Sequence, residues 1–115
     1  QAYTLSQNWT EGTACGDTGV VSWNTYSGSS LWTTPGGDYD ATPVSDAVMV
    51  NTYPAYHILT LNSETVANWI KSPGSNHGIL IKLTDETKDA AILVFSKEKL
   101  NSLYRPKLVV YYTIP

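Results

Sequence analysis

Two aspartates that closely follow a Gly-Gly pair are the clearest candidates for metal chemistry in this sequence. Asp38 and Asp40 are separated by one residue. Alternate carboxylates in a loop can turn to one side, and calcium takes several oxygen ligands from flexible backbone. Asp17 and Glu11 could add ligands from an earlier turn. Because the spacing is not that of an EF-hand, two interpretations stay open: a structural calcium site, and a turn whose carboxylates accept hydrogen bonds from local amides.

Aromatic residues are concentrated around the same stretch: Trp23, Tyr26, Trp32 and Tyr39. Sugar rings stack their C–H faces on aromatic faces, and a few such contacts with hydrogen-bonding side chains make a weak sugar-binding surface. Packing is the alternative. Trp23 would then belong to the core of a strand, and Trp32 and Tyr39 would fix the loop to a sheet.

Two basic residues close to the end of the sequence are further candidates for ligand binding. Arg105 and Lys107 flank Pro106 and could contact an acidic ligand. They could equally keep the edge of a strand solvated, which is a common use of charge at sheet edges. The edge interpretation is favoured.

Catalysis is not expected. His57 and His77 are the two histidines available as bases at neutral pH, and neither lies in a recognisable catalytic motif. His57 falls on the apolar face of a predicted strand, which favours a packed histidine, and His77 falls in a turn. Paired carboxylates for glycoside hydrolysis need a defined separation that sequence spacing does not reveal. We therefore expect a protein that is not an enzyme.

Composition and charge narrow the function classes further. The 115 residues carry a net charge of −3, only 15% are charged, and all Lys and Arg residues lie between Lys71 and Lys107. A basic footprint for nucleic acid is absent, and no apolar run is long enough to insert into a membrane. Cys15 is the single cysteine, so an internal disulfide is excluded.

These residues must be positioned by strands. Residues 25–45 show no regular period and predict a long functional loop. The helical spacing of Val66, Trp69 and Ile70, with Asn62 before it, predicts one short helix over about 63–71. Apolar alternation predicts strands at 3–5, 18–24, 46–52, 55–61, 79–83, 90–95 and 107–114. The expected fold is all-β, an antiparallel β-sandwich with one short helix, in a single domain over 1–115.

Five motifs in order extend this picture. Residues 8–13 read Asn-Trp-Thr-Glu-Gly-Thr, 32–40 read Trp-Thr-Thr-Pro-Gly-Gly-Asp-Tyr-Asp, Val66 and Trp69 follow in the helix, 75–82 read Ser-Asn-His-Gly-Ile-Leu-Ile-Lys, and 105–110 read Arg-Pro-Lys-Leu-Val-Val. The sequence thereby resembles the DNRLRE (disaggregatase-related) domain family. The resemblance implies a jelly-roll-like β-sandwich in an extracellular or cell-surface protein. It also implies non-catalytic binding of polysaccharide, which in some family members is acidic.

Family domains carry further strands before the Trp-Thr-Glu-Gly motif, and this sequence shows no counterpart of them. A fragment, a minimal divergent domain, and a subunit completed by a neighbour's strand are the three explanations. A sandwich lacking strands exposes unpaired edge groups, which favours pairing with another chain. The alternative function is therefore a structural subunit of an extracellular filament, surface layer or adhesin that assembles by strand exchange.

Overall fold

The computed structural model describes residues 1–12, 21–50, 55–87 and 91–114. Its regular elements are, in chain order, β1 (Ala2–Thr4), β2 (Thr25–Ser27), β3 (Ser30–Leu31), α1 (Ser63–Lys71) and β4 (Ile79–Ile81). One 3-10 turn lies between α1 and β4, at Pro73–Ser75, and another lies after β4, at Ser102–Tyr104. Within these ranges the strands form two antiparallel two-stranded sheets, β1 with β4 and β2 with β3.

The first strand holds the best-packed part of the described chain together. β1 pairs with β4 so that Ala2 lies opposite Ile81 and Thr4 lies opposite Ile79. On its other side, the backbone N–H of Asp40 donates to the Thr4 carbonyl over 3.0 Å. A single bridge between Leu5 and Tyr39 continues this second contact. Backbone therefore lies on both sides of β1, and this fixes the 38–40 segment against the sheet.

A small apolar core forms around β1. Ala2 is fully buried, and Leu5, Trp32 and Val44 are each at most 8% exposed. Ser45 is buried beside them, and its Oγ accepts a hydrogen bond from the Ala2 backbone N–H over 2.9 Å. The buried hydroxyl thus has a partner, as a buried polar group requires.

The predicted helix is confirmed. α1 spans Ser63–Lys71, and the Asn62 side chain accepts a hydrogen bond from the Thr65 backbone N–H at its start. The distance from Asn62 Oδ1 to the Thr65 nitrogen is 2.8 Å, so Asn62 is the N-cap of the helix. None of the helix residues is buried.

The predicted jelly-roll-like β-sandwich is wrong. The strands predicted at 3–5 and 79–83 are present as β1 and β4. The described residues of 46–52, 55–61, 90–95 and 107–114 form no ladder, and the one bridge among them joins Leu61 to Ser45. The predicted strand at 18–24 lies partly outside the described residues, and its described part, 21–24, is not a strand. Alternating apolar residues need a paired neighbour to make a strand, and apart from the Leu61–Ser45 bridge these segments have none within the described ranges. The loop predicted at 25–45 instead contains the β2–β3 hairpin, where Gly28 adopts φ +55°.

Candidate ligand-binding groove

An open groove of about 610 Å³ lies where the 33–41 loop meets the residues after β1. Six of its eight lining residues carry a hydroxyl, amide, carboxylate or phenol group. The lining residues are Ser6, Gln7, Thr33, Thr34, Gly37, Asp38, Tyr39 and Ala41. We call this the loop groove.

The Asp38 carboxylate organises the loop groove. It accepts hydrogen bonds from the backbone N–H of Thr33 and of Thr34, each over 2.9 Å, and from Nε2 of Gln7 over 2.8 Å. The two backbone bonds, that from Thr33 first and then that from Thr34, hold the pKa of Asp38 below its ordinary value. A carboxylate offers about four lone-pair positions, and three are occupied here. The amide-binding interpretation of Asp38 is thus the one that its contacts support.

The other proposed calcium ligands do not gather around Asp38. The Asp40 carboxylate accepts from the Thr42 backbone N–H over 2.8 Å, and this bond lowers its pKa. Glu11 instead pairs with Lys97 over 3.1 Å. Asp17 lies outside the described residues. Across the described ranges, no cluster of three or more His, Cys, Asp or Glu side chains is arranged to hold a metal ion.

Trp32 is part of the core beneath the loop groove. Its side chain is 7% exposed, and its Nε1 donates to the Ser22 carbonyl over 3.0 Å. The Tyr26 ring lies against it with centroids 5.6 Å apart and planes inclined at 55°. Two of the predicted stacking residues are thus brought together, but as a packed pair that anchors the β2–β3 hairpin.

Trp23 is the exposed aromatic beside the groove. It is 67% exposed, and its indole lies against Gly36, the residue before Gly37 of the groove lining. Gly36 adopts φ +97°, and a Cβ placed on it would lie 2.8 Å from Cη2 of the indole. The Gly36 backbone N–H also donates to the Trp23 carbonyl over 2.6 Å. The close approach of ring and backbone therefore requires glycine.

Tyr39 connects the groove to the main sheet. Its hydroxyl accepts from Lys82 Nζ over 2.9 Å, and the same ammonium pairs with Glu86 over 2.9 Å. The bond to Tyr39, followed by that to Glu86, raises the pKa of Lys82 above its ordinary value. The Tyr3 ring meets Tyr39 edge to face at a centroid distance of 5.3 Å. The Tyr39 ring is thus held from two directions.

Arg105 and Lys107 lie elsewhere. Arg105 Nε donates to the Lys99 carbonyl over 2.7 Å, and Lys107 is exposed. No described contact joins either side chain to the loop groove.

Sequence reasoning missed several polar residues of the groove. Ser6, Gln7, Thr33 and Thr34 line it, and Lys82 supports it through Tyr39. The Thr-Thr-Pro-Gly sequence at 33–36 marked a turn, and backbone amides of a turn are the usual partners of a nearby aspartate. That signal identifies Thr33 and Thr34. Gln7 lies near Asp38 only because of the path that the chain takes after β1, which no local sequence pattern shows.

The two histidines differ in their surroundings, because His77 makes hydrogen bonds and His57 is exposed. His77 Nδ1 lies 2.7 Å from Oδ1 of Asn8, and the His77 carbonyl accepts from Trp9 Nε1 over 3.1 Å. His57 is exposed, so its predicted packing on an apolar face is wrong. The expectation of a non-enzyme stays a prediction.

Comparison with known proteins gives no relative. No known family model, curated protein or solved structure matches this chain. Among the helices of the described residues, none has the length and apolar character needed to cross a membrane.

Proposed function

We propose that this chain is a non-catalytic polysaccharide-binding module and that the loop groove is its binding surface. The observation that carries the proposal is a groove lined mainly by hydroxyl, amide and phenol groups, with the exposed Trp23 indole beside it. Sugar hydroxyls exchange hydrogen bonds with such groups, and a sugar ring stacks on an exposed indole. The resemblance to DNRLRE domains points to the same class of ligand and to an extracellular or cell-surface location.

The charges favour a neutral polysaccharide. Asp38 places a carboxylate in the groove lining, and the Lys82 ammonium next to Tyr39 is paired with Glu86. Arg105 and Lys107, which would serve an acidic glycan, have no described contact with the groove. An acidic polysaccharide would therefore meet net repulsion at this surface.

Binding is tested by affinity electrophoresis against a panel of soluble neutral and acidic polysaccharides. We expect retardation by at least one neutral glycan. Trp23→Ala should weaken it by about tenfold, because one stacking contact is lost. Tyr56→Ala is the matched control, since Tyr56 is 69% exposed, against 67% for Trp23, and lies outside the groove lining.

The polar half of the groove is tested separately. The double variant Thr33→Val, Thr34→Val removes two hydroxyls but keeps the backbone N–H groups that bind Asp38. We expect the fold to persist and retardation to fall by several-fold, because hydroxyl partners of the sugar are lost. If every glycan that binds the wild type binds Trp23→Ala and this double variant equally well, the groove is not the binding surface.

Calcium is a separate part of the proposal. Bound by the Asp40 carboxylate, it would act as a structural aid rather than as a sugar ligand. We expect millimolar calcium to raise the thermal midpoint of the wild type and to have a smaller effect on Asp40→Asn. Equal midpoints for the wild type in calcium and in EDTA would remove calcium from the proposal.

A further inference from the structure

A second surface, remote in sequence from the loop groove, is the unpaired segment 107–114, which we call the C-terminal segment. It reads Lys-Leu-Val-Val-Tyr-Tyr-Thr-Ile and carries a single charge. Val109, Tyr111 and Ile114 are 64%, 93% and 82% exposed. No backbone hydrogen bond joins this segment to any residue that the structure describes. Its composition is that of a strand, yet among the described residues its backbone donors and acceptors have no strand partner.

Prolines bound the C-terminal segment in the sequence. Pro106 precedes it and Pro115 follows it. Because proline has no backbone N–H, neither position donates to a ladder, and pairing is limited to the eight residues between them. A limit at both ends restricts the registers in which a partner strand can pair.

The accessible surface area of the chain is larger than that expected for a folded monomer of its mass. The chain exposes 9312 Å². A folded monomer of 12.6 kDa is expected to expose about 6,200 Å². The excess is roughly 3,000 Å², whereas a permanent dimer interface removes about 1,000–2,500 Å² from each partner. More than half of the exposed large apolar side chains in the described ranges lie between Ile92 and Ile114. An interface of the permanent class would therefore fit this end of the chain.

The segment is complementary to itself. A two-fold antiparallel pairing must be centred on one residue and its own copy, and a centre on Val110 uses residues 107–113. It sets Lys107 opposite Thr113, Leu108 opposite Tyr112, Val109 opposite Tyr111, and Val110 opposite Val110 of the second copy. Aliphatic–aromatic pairs across strands are stabilising, and no like charges meet. A parallel in-register pairing would instead place Lys107 beside Lys107, which is unfavourable.

We propose that the C-terminal segment pairs antiparallel with the same segment of a second copy of this chain. The interface is isologous, as a two-fold dimer requires, and it joins two sheets edge to edge by backbone hydrogen bonds. This role is independent of sugar binding, because the segment contributes no residue to the loop groove.

Sedimentation velocity over a range of protein concentrations tests the pairing. We expect the wild type to self-associate and Val110→Pro to weaken association by about 100-fold, because proline removes a ladder donor at the centre of both strands. Ile58→Pro is the control, since Ile58 is 79% exposed and lies outside every described helix and strand. It should associate like the wild type.

Cysteine pairs test the register in a Cys15→Ser background. A mixture of Val109→Cys and Tyr111→Cys chains should form an intermolecular disulfide rapidly, because these positions face each other in the proposed register. A mixture of Leu108→Cys and Tyr111→Cys chains should not, because these positions lie on opposite faces. A wild type that stays monomeric at every concentration, as when some other strand covers the segment, would falsify the proposal. Equal association of Val110→Pro, or equal cross-linking in both mixtures, would also overturn it.

Discussion

At the scale of single residues, the conformation of the 33–41 loop depends on one carboxylate. Asp38 binds two backbone amides and the Gln7 side chain, and the bonds from the amides of Thr33 and Thr34 lower its pKa. Its folded-state pKa lies below the unfolded value, so its contribution to stability is present above about pH 4 and is lost as the pH falls through the folded pKa. Acid therefore releases the 33–41 loop by protonating a hydrogen-bond acceptor.

Asp38→Asn tests this dependence. The amide of asparagine presents two N–H groups where donors already converge, so the variant should have a lower thermal midpoint than the wild type at pH 6. The difference should shrink as the pH falls below about 4, because the wild-type carboxylate is then protonated too. Thermal unfolding followed by circular dichroism at several pH values measures both. Asp46→Asn is the control, and a loss of the same size and pH dependence there would contradict the assignment.

Gly36 gives a second prediction at this scale. Gly36→Ala should destabilise the chain by about 1–3 kcal/mol, because φ +97° is strained for alanine and the new Cβ would lie 2.8 Å from the Trp23 indole. Gly74→Ala is the matched control, since its Cβ would meet nothing within 4 Å. Urea unfolding midpoints compare the two variants. Equal midpoints would mean that the Trp23–Gly36 contact is not formed in solution.

At the scale of elements, α1 depends on its cap more than on packing. A nine-residue helix is marginal in water, and none of its residues is buried. Asn62→Ala removes the acceptor for the Thr65 N–H and should cost about 1 kcal/mol.

Because the helix is exposed, the cost of Asn62→Ala should appear as local opening rather than global unfolding. Amide hydrogen exchange within Ser63–Lys71 should be accelerated about fivefold. Asn68→Ala makes the same substitution inside the helix and should leave exchange equal or slower, since alanine favours helix. Acceleration by both variants would show that the cap is not the decisive contact.

The elements also show what the sequence could predict. The helix bounds were predicted because capping and helical spacing are local signals, carried by Asn62, Val66 and Trp69. β1 and β4 were located, but not their pairing, which joins residues far apart in the chain. For Trp23 the sequence left sugar stacking and a strand core open, and the residue is exposed. For Trp32 it left sugar stacking and fixing the loop to a sheet open, and the residue is buried. Whether an aromatic side chain faces the core or the solvent depends on which strand pairs with its own. The alternation of apolar residues does not identify that partner strand.

The candidate site was predicted in part. Its location around 32–40 follows from the glycines, aspartates and aromatics there. The role of Asp38 stayed open between calcium and amide binding, because only the folded loop shows which donors reach the carboxylate. Arg105 and Lys107 were proposed as ligand-binding residues only because they are basic. The described hydrogen bond of the Arg105 side chain is to the carbonyl of nearby Lys99.

At the scale of the whole molecule, the exposed area predicts a stability that depends on concentration. A chain that binds its own copy only when folded gains stability by mass action. We expect the urea midpoint of the wild type to rise with protein concentration over a hundredfold range, and that of Val110→Pro to stay constant. Ile58→Pro should rise like the wild type. A wild-type midpoint independent of concentration would contradict self-association, and it would leave sugar binding at the loop groove unaffected.

The position of β1 has a consequence for how the chain is made. Ala2 pairs with Ile81, so the pairing of β1 with β4 requires closure of a loop of nearly eighty residues. Contacts of such separation form slowly, while α1 closes through neighbours three residues apart. Synthesis proceeds from the N-terminus, so β1 leaves the ribosome long before β4 exists. The edge of β1 that pairs with β4 therefore stays without its partner until β4 has been made.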